Sequence, residues 1–155
     1  MTYFEDIENY LKGLAIKHKQ LLHDNGGAAF IQMGIADEVT TVTDRKKVYI
    51  RVMDVSSSIV NEYMSWVVQI AFLKELPAMR KNADVDAASK LTQQIMYDFD
   101  ARIREQYDEE CYFVKKLQSP SLEPVGLTDQ SAIGWMYTWR FFTDQPDYDL
   151  NAWEE

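Results

Sequence analysis

The chain has 155 residues, with 16 Lys plus Arg against 25 Asp plus Glu, a formal charge of -9. That length suits one domain with its own core, and a composition 46% hydrophobic and 26% charged is that of a folded protein rather than a disordered one. The single cysteine, Cys111, excludes an intramolecular disulfide, the acidic balance argues against nucleic acid or anionic membrane as the main partner, and no apolar run approaches the ~18 residues that would span a bilayer.

The N-terminal residues 1–6 lack the basic start and apolar stretch of a signal peptide, so we expect synthesis and use in a reducing cytoplasm. From Phe4 onward Ile7, Leu11, Leu14, His18 and Leu21 or Leu22 recur at three- or four-residue steps, which predicts a helix over residues 3–24. Thr2 and Glu5 fit a capping box, and Gly26 and Gly27 supply the exit. The period then changes to two. Residues 29–33 and 39–43 are candidate strands, and residues 47–55 form a third, with Val48, Ile50 and Val52 on one face and Tyr49, Arg51 and Met53 on the other. Ser56, Ser57 and Ser58 break that pattern. Residues 62–73 follow as a strand with Trp66, Val68, Ile70 and Phe72 on its apolar side, the β-branched and aromatic content outweighing a helical alternative.

Pro77 ends that strand, and a second helix is expected over residues 84–109. Asp84 and Asp86 favour its first turn through the helix dipole. Its apolar stripe is Val85, Ala88, Leu91, Ile95, Phe99 and Ile103, while Asp98 with Arg102 and Asp100 with Arg104 form four-residue pairs on the wetter side. A loop at 119–124 leads to a short strand near 125–127 and then to the strongest β signal in the chain. There Ile133, Trp135, Tyr137, Trp139 and Phe141 point one way, and Ala132, Gly134, Met136, Thr138, Arg140 and Phe142 the other. The order predicts an α+β fold, an antiparallel sheet of about four to six strands with two long helices packed on one face. The other face, carrying Tyr49, Arg51, Gln69 and Thr138, should be wetter or paired with a neighbour. Residues 1–143 form the single domain, and residues 144–155 an acidic C-terminal arm.

The search for chemistry is mostly negative. Gly26 and Gly27 lack the spacing and the following Lys of a phosphate loop, and neither HExxH nor CxxC occurs. His18 and His23 stand five apart and so do not meet on one helical face; they read as packing and capping groups rather than metal ligands. Cys111 follows Glu109 and Glu110, whose charge opposes a thiolate, and reads as structural. The acids Asp98, Asp100, Glu105, Asp108, Glu109 and Glu110 spread around the helix as a solvated face. The short basic clusters at 45–47, 80–81 and 115–116 read as turn and loop solvation. The row Trp135, Tyr137, Trp139 and Phe141 resembles a stacking platform only in composition, since Arg140 lies on the opposite face; it reads as core. The sequence offers no catalytic, cofactor-binding or metal-ligating residue, and no cofactor is expected. Tyr148, Leu150 and Trp153, set among Asp147, Asp149, Glu154 and Glu155, are the candidate subunit or partner contacts, docking either on their own domain or on a neighbour.

Taken together, the opening helix, the strand pair carrying Val48 to Val52 and Trp66 to Ile70, the central helix, the Leu122, Glu123, Pro124, Val125 turn and the final strand from Ile133 to Phe141 resemble the tail terminator, tail completion and head-to-tail neck proteins of bacteriophages. The resemblance spans nearly the whole chain and lies in element order, not in an invariant motif. It implies a non-enzymatic virion protein that forms a homo-oligomeric ring, commonly of six subunits. Such a ring contacts tail tube protein on one side and neck or connector proteins on the other, and DNA passes through without specific binding. It would be made in the bacterial host cytoplasm, located in the virion tail or neck, and independent of membranes. The acidic arm is the departure from that pattern. An acidic immunity or inhibitor protein that covers a basic toxin or nuclease is the alternative, since complementary charge speeds association. An enzyme ranks last, because no nucleophile and base pair up in the sequence.

Overall fold

The computed structural model describes residues 4–21, 30–31, 47–77, 81–107, 113–127, 132–145 and 152. Its elements are α1 (Phe4–Lys17), β1 (Phe30–Ile31), β2 (Tyr49–Val60), β3 (Tyr63–Glu75), α2 (Asn82–Gln106), β4 (Lys116–Leu117), β5 (Ser121–Leu127) and β6 (Ala132–Asp144). The strands make one sheet in the order β1-β2-β3-β6-β4, with β5 also on β6. β2 to β6 pair antiparallel, and only the two-residue β1 runs parallel to its neighbour. The chain is therefore α+β.

The period-two pattern places its apolar residues as expected. Ile50, Val52, Trp66, Val68, Ile70, Phe72, Tyr137, Trp139 and Phe141 share one buried cluster with Ile7, Leu11 and Leu14 of α1 and Ile95, Phe99 and Ile103 of α2. Ring contacts knit it together: Phe72 meets Phe99 edge-on at 5.0 Å between centroids, and Trp139 lies 4.2 Å from Phe141 and 6.0 Å from Tyr10. Gly134 stands where a Cβ would fall 1.7 Å from the carbonyl oxygen of Phe72, so a bare backbone is what lets β6 lie against β3 there.

Several expectations are corrected. The first helix stops at Lys17 rather than running to 24. Leu21 N–H closes a turn onto the His18 carbonyl, and the Gln20 N–H donates to His18 Nδ1 at 3.2 Å, so local bonds take up the amides that further helix would have used. The second helix spans Asn82–Gln106, beginning before Asp84 because the Asp84 carboxylate reaches back to the Lys81 N–H at 2.8 Å. The three serines do not end β2, which pairs with β3 from Ser56 opposite Val67 to Val60 opposite Tyr63. The full-length partner strand supplies the ladder that the serine side chains do not signal, and Asn61, at φ 53, enters the two-residue turn that closes the hairpin. Finally, the face opposite the large cluster is not wet throughout. Tyr49, Ala71, Leu73 and Ala132 form a small buried cluster there with Met53 and Val125 against it, and Thr138 is buried too. Of the strand expected at 29–33, Phe30 and Ile31 are described and form β1, and the strand expected near 125–127 lengthens to β5. Thr2, Gly26, Gly27 and the strand expected at 39–43 lie outside the described residues.

One irregularity sets the phase of β2. Val52 faces Ile70 and Asp54 faces Gln69, leaving Met53 as an extra residue between them. This bulge returns Val55, opposite Val68, to the face that carries Val52, and Val55 packs on the large cluster.

Candidate functional site

The aromatic row of β6 is core, as the alternation predicts. Tyr137, Trp139 and Phe141 are fully buried, whereas Trp135 is half-buried and its indole N–H donates to Ser89 Oγ at 3.2 Å. The Trp139 Nε1 is the one buried side-chain polar atom without a hydrogen-bond partner among the described residues, enclosed near the rings of Tyr10, Phe113 and Phe141. The arm residues Tyr148, Leu150 and Trp153 lie outside the described residues, as do Cys111, His23, Asp108, Glu109 and Glu110.

Two polar clasps tie the elements together. At the end of α1, His18 Nε2 meets Asp98 Oδ2 of α2 at 2.9 Å. Because Nδ1 accepts from Gln20, the ring carries its proton on Nε2 and donates to the carboxylate. Asp98 is thus a cross-element partner, not the Arg102 pair that spacing suggested. The groove beside it, lined by Leu14, Lys17, Arg102 and Glu105 among others, encloses about 530 Å³. With both ring nitrogens engaged, His18 offers no free base to it.

The second clasp corrects the reading of Asp100 as part of a solvated face. Asp100 is 8% exposed and accepts the Tyr137 hydroxyl at 2.8 Å while Arg104, one turn on, pairs with its other oxygen. Burial, and next the bond to Asp100, pushes the Tyr137 phenol well above its ordinary value of 10.0, so it stays a neutral donor. Alongside, Tyr10 donates to Gln106 at 3.0 Å, joining α1 to the end of α2. These groups satisfy one another, an arrangement suited to holding helices on a sheet rather than to binding a reactant. Among the described residues no three His, Cys, Asp or Glu side chains are grouped to hold a metal.

A different kind of surface lies at the far end of the β2–β3 hairpin. Residues 56–60 of β2 are exposed, as are Asn61, Glu62 and Tyr63, with Ile59 65% and Val60 42% exposed despite their apolar side chains. Beside the turn, Val60, Tyr63, Lys115, Lys116 and Phe142 line a shallow groove of about 370 Å³. No family model and no curated protein matches this chain. The assignment of function therefore rests on the residues themselves.

Sequence reasoning missed both the buried carboxylate and the hairpin end. A signal existed for the first: Met96, Asp100 and Arg104 follow one another at four-residue steps, so an apolar residue precedes the carboxylate on its own helical row. For the second, Ile59, Val60 and Tyr63 flank the Asn61 turn, an apolar tip with no partner in the sequence pattern.

Proposed function

We propose that this chain is a structural assembly subunit, a ring-forming tail terminator or neck protein of a bacteriophage that joins the tail tube to the head-tail connector. The observation that carries the reading is the division of β2 and β3 into a buried half and an exposed apolar end, because a strand pair that projects apolar groups beyond its own core is suited to contact with neighbours. We read the two helices as covering the face of Trp66, Ile70 and Trp139, with the opposite face and the hairpin end turned to other subunits. Tyr148, Leu150 and Trp153 on the acidic arm supply further anchors, since aromatic groups dominate interface energy. In this reading the protein performs no reaction, sits in the virion tail or neck, and lets DNA pass its lumen, which a chain charged -9 would not trap.

Negative-stain imaging with light scattering tests it. A ring, commonly of six copies, is expected, and removal of residues 146–155 should weaken its assembly while circular dichroism stays native. A strict monomer that binds a basic toxin or nuclease with strong salt dependence would replace this reading with the immunity alternative.

A further inference from the structure

Edge strands carry unpaired backbone groups, and the two long edges of this sheet treat them differently. β5 bears Glu123 and Pro124, and a proline has no N–H to offer and resists strand addition. On the other side β1 covers β2 only at Ile50 and Arg51, and among the described residues no strand pairs with the outer side of residues 52–60. From Val55 to Val60 that edge holds no charge, no proline and no glycine. Among the described residues it is the unprotected edge.

The hairpin fixes which groups face outward. Its loop has two residues, so the flanking Val60 and Tyr63 exchange both ladder bonds. Alternation along the strand then turns the N–H and C=O of Ile59, Ser57 and Val55 away from β3. The Val55 N–H agrees with this parity: it is held by its neighbour's carboxylate, Asp54 Oδ1, at 2.9 Å.

We propose that this edge pairs antiparallel with the same edge of a second copy, related by a two-fold axis through Ser57. The sequence Val55, Ser56, Ser57, Ser58, Ile59 reads nearly the same in both directions about its centre. In the two-fold register Ser57 faces its own copy, Ser56 faces Ser58, and Val55 faces Ile59. All three outward-facing residues then meet outward-facing partners, whereas a register slipped by two residues leaves one of them unmatched. The exposed Ile59 side chain gains a β-branched neighbour on the same face, a favourable cross-strand pair. The two Asp54 carboxylates fall at opposite ends of the contact, each opposite Val60 of the other copy, so they do not face each other. The Ser57 and Ile59 donors are available at once; that of Val55 joins when Asp54 releases it. The result is one sheet continuous through both copies, an isologous contact.

This contact makes pairs and cannot by itself close a sixfold ring, so it stands apart from the ring reading. Sedimentation of the full chain over a range of concentrations tests it. Reversible pairing, of single chains or of whole rings, is expected, strengthened by salt because the interface holds no ion pair while each copy carries -9. Ser57→Pro, which removes an outward N–H that an edge strand can spare, should weaken association about tenfold or more with native circular dichroism. Ile59→Lys should weaken it too and serves if the proline variant fails to fold, and Asp54→Ala should tighten it by freeing the Val55 N–H. A wild-type chain monomeric at every concentration, or a dimer indifferent to both Ser57→Pro and Ile59→Lys, overturns the proposal. So does a ring that forms unchanged in Ser57→Pro from a wild type that never dimerises, and that result leaves the ring reading intact.

Discussion

β2 and β3 run side by side over eleven paired positions, yet their two ends live in different surroundings. Near the start of β2, Ile50 and Val52 lie opposite Phe72 and Ile70, all buried and in one cluster with both helices. Near the turn the same alternation continues through Ser57 and Ile59, but the side chains stand in solvent. The ladder is indifferent to this change, since backbone pairing needs only a partner strand. Burial, and with it most of the stabilisation, ends where the shared cluster ends. Order and stability are thus carried by different parts of one hairpin, which leaves its far end free to serve contacts without endangering the core.

Substitutions along this gradient should reproduce it. Trp139→Ala, in the closed half, removes a fully buried ring and should cost about 3–5 kcal/mol in chemical denaturation. A loss below about 1 kcal/mol would mean that the buried half is not where stability resides. Tyr137→Phe should cost less, about 1–3 kcal/mol, since Asp100 loses one donor and keeps Arg104. It should also change the alkaline limit. The folded Tyr137 holds its proton above 10.0 while the unfolded chain releases it, so this contribution is whole below that pH and shrinks as pH rises past it. Denaturation curves at about pH 8 and pH 11 should therefore differ more for the wild type than for Tyr137→Phe. Ile59→Ser, at the open end, should leave stability within about 0.5 kcal/mol. A large loss there would erase the distinction between the two halves.

What the residues reveal in advance follows the same divide. The rows Trp66, Val68, Ile70, Phe72 and Trp135, Tyr137, Trp139, Phe141 declare strand and facing at once, because alternation is local and core residues must obey it. Ser56, Ser57 and Ser58 hide the continuation of β2, because the ladder that holds them comes from a partner strand and not from their own side chains. His18 with Asp98 is separated by 80 positions and Tyr137 with Asp100 by 37, so neither clasp has a spacing to betray it. Asp100 misled for a further reason: an acid on a helix with Arg four residues on has the pattern of a solvated pair, and only the arrival of the Tyr137 hydroxyl shows that one oxygen faces inward. The projecting end of the hairpin is invisible for lack of any pattern that says where burial of the strand pair ends.

The position of β6 has a temporal consequence. It lies between β3 on one side and β4 and β5 on the other, the middle of the sheet, although it is the last strand in chain order among the described residues. Trp66 bonds Thr143 across 77 positions and Tyr10 bonds Gln106 across 96. During synthesis, α1 and the β2–β3 hairpin leave the ribosome well before the strand that completes their core, so they must wait with Trp66 and Phe72 uncovered. High contact order of this kind slows folding and lengthens exposure to aggregation. The uncharged edge of β2 is open during that same interval, and the nascent chain is where a misplaced pairing between copies would first arise.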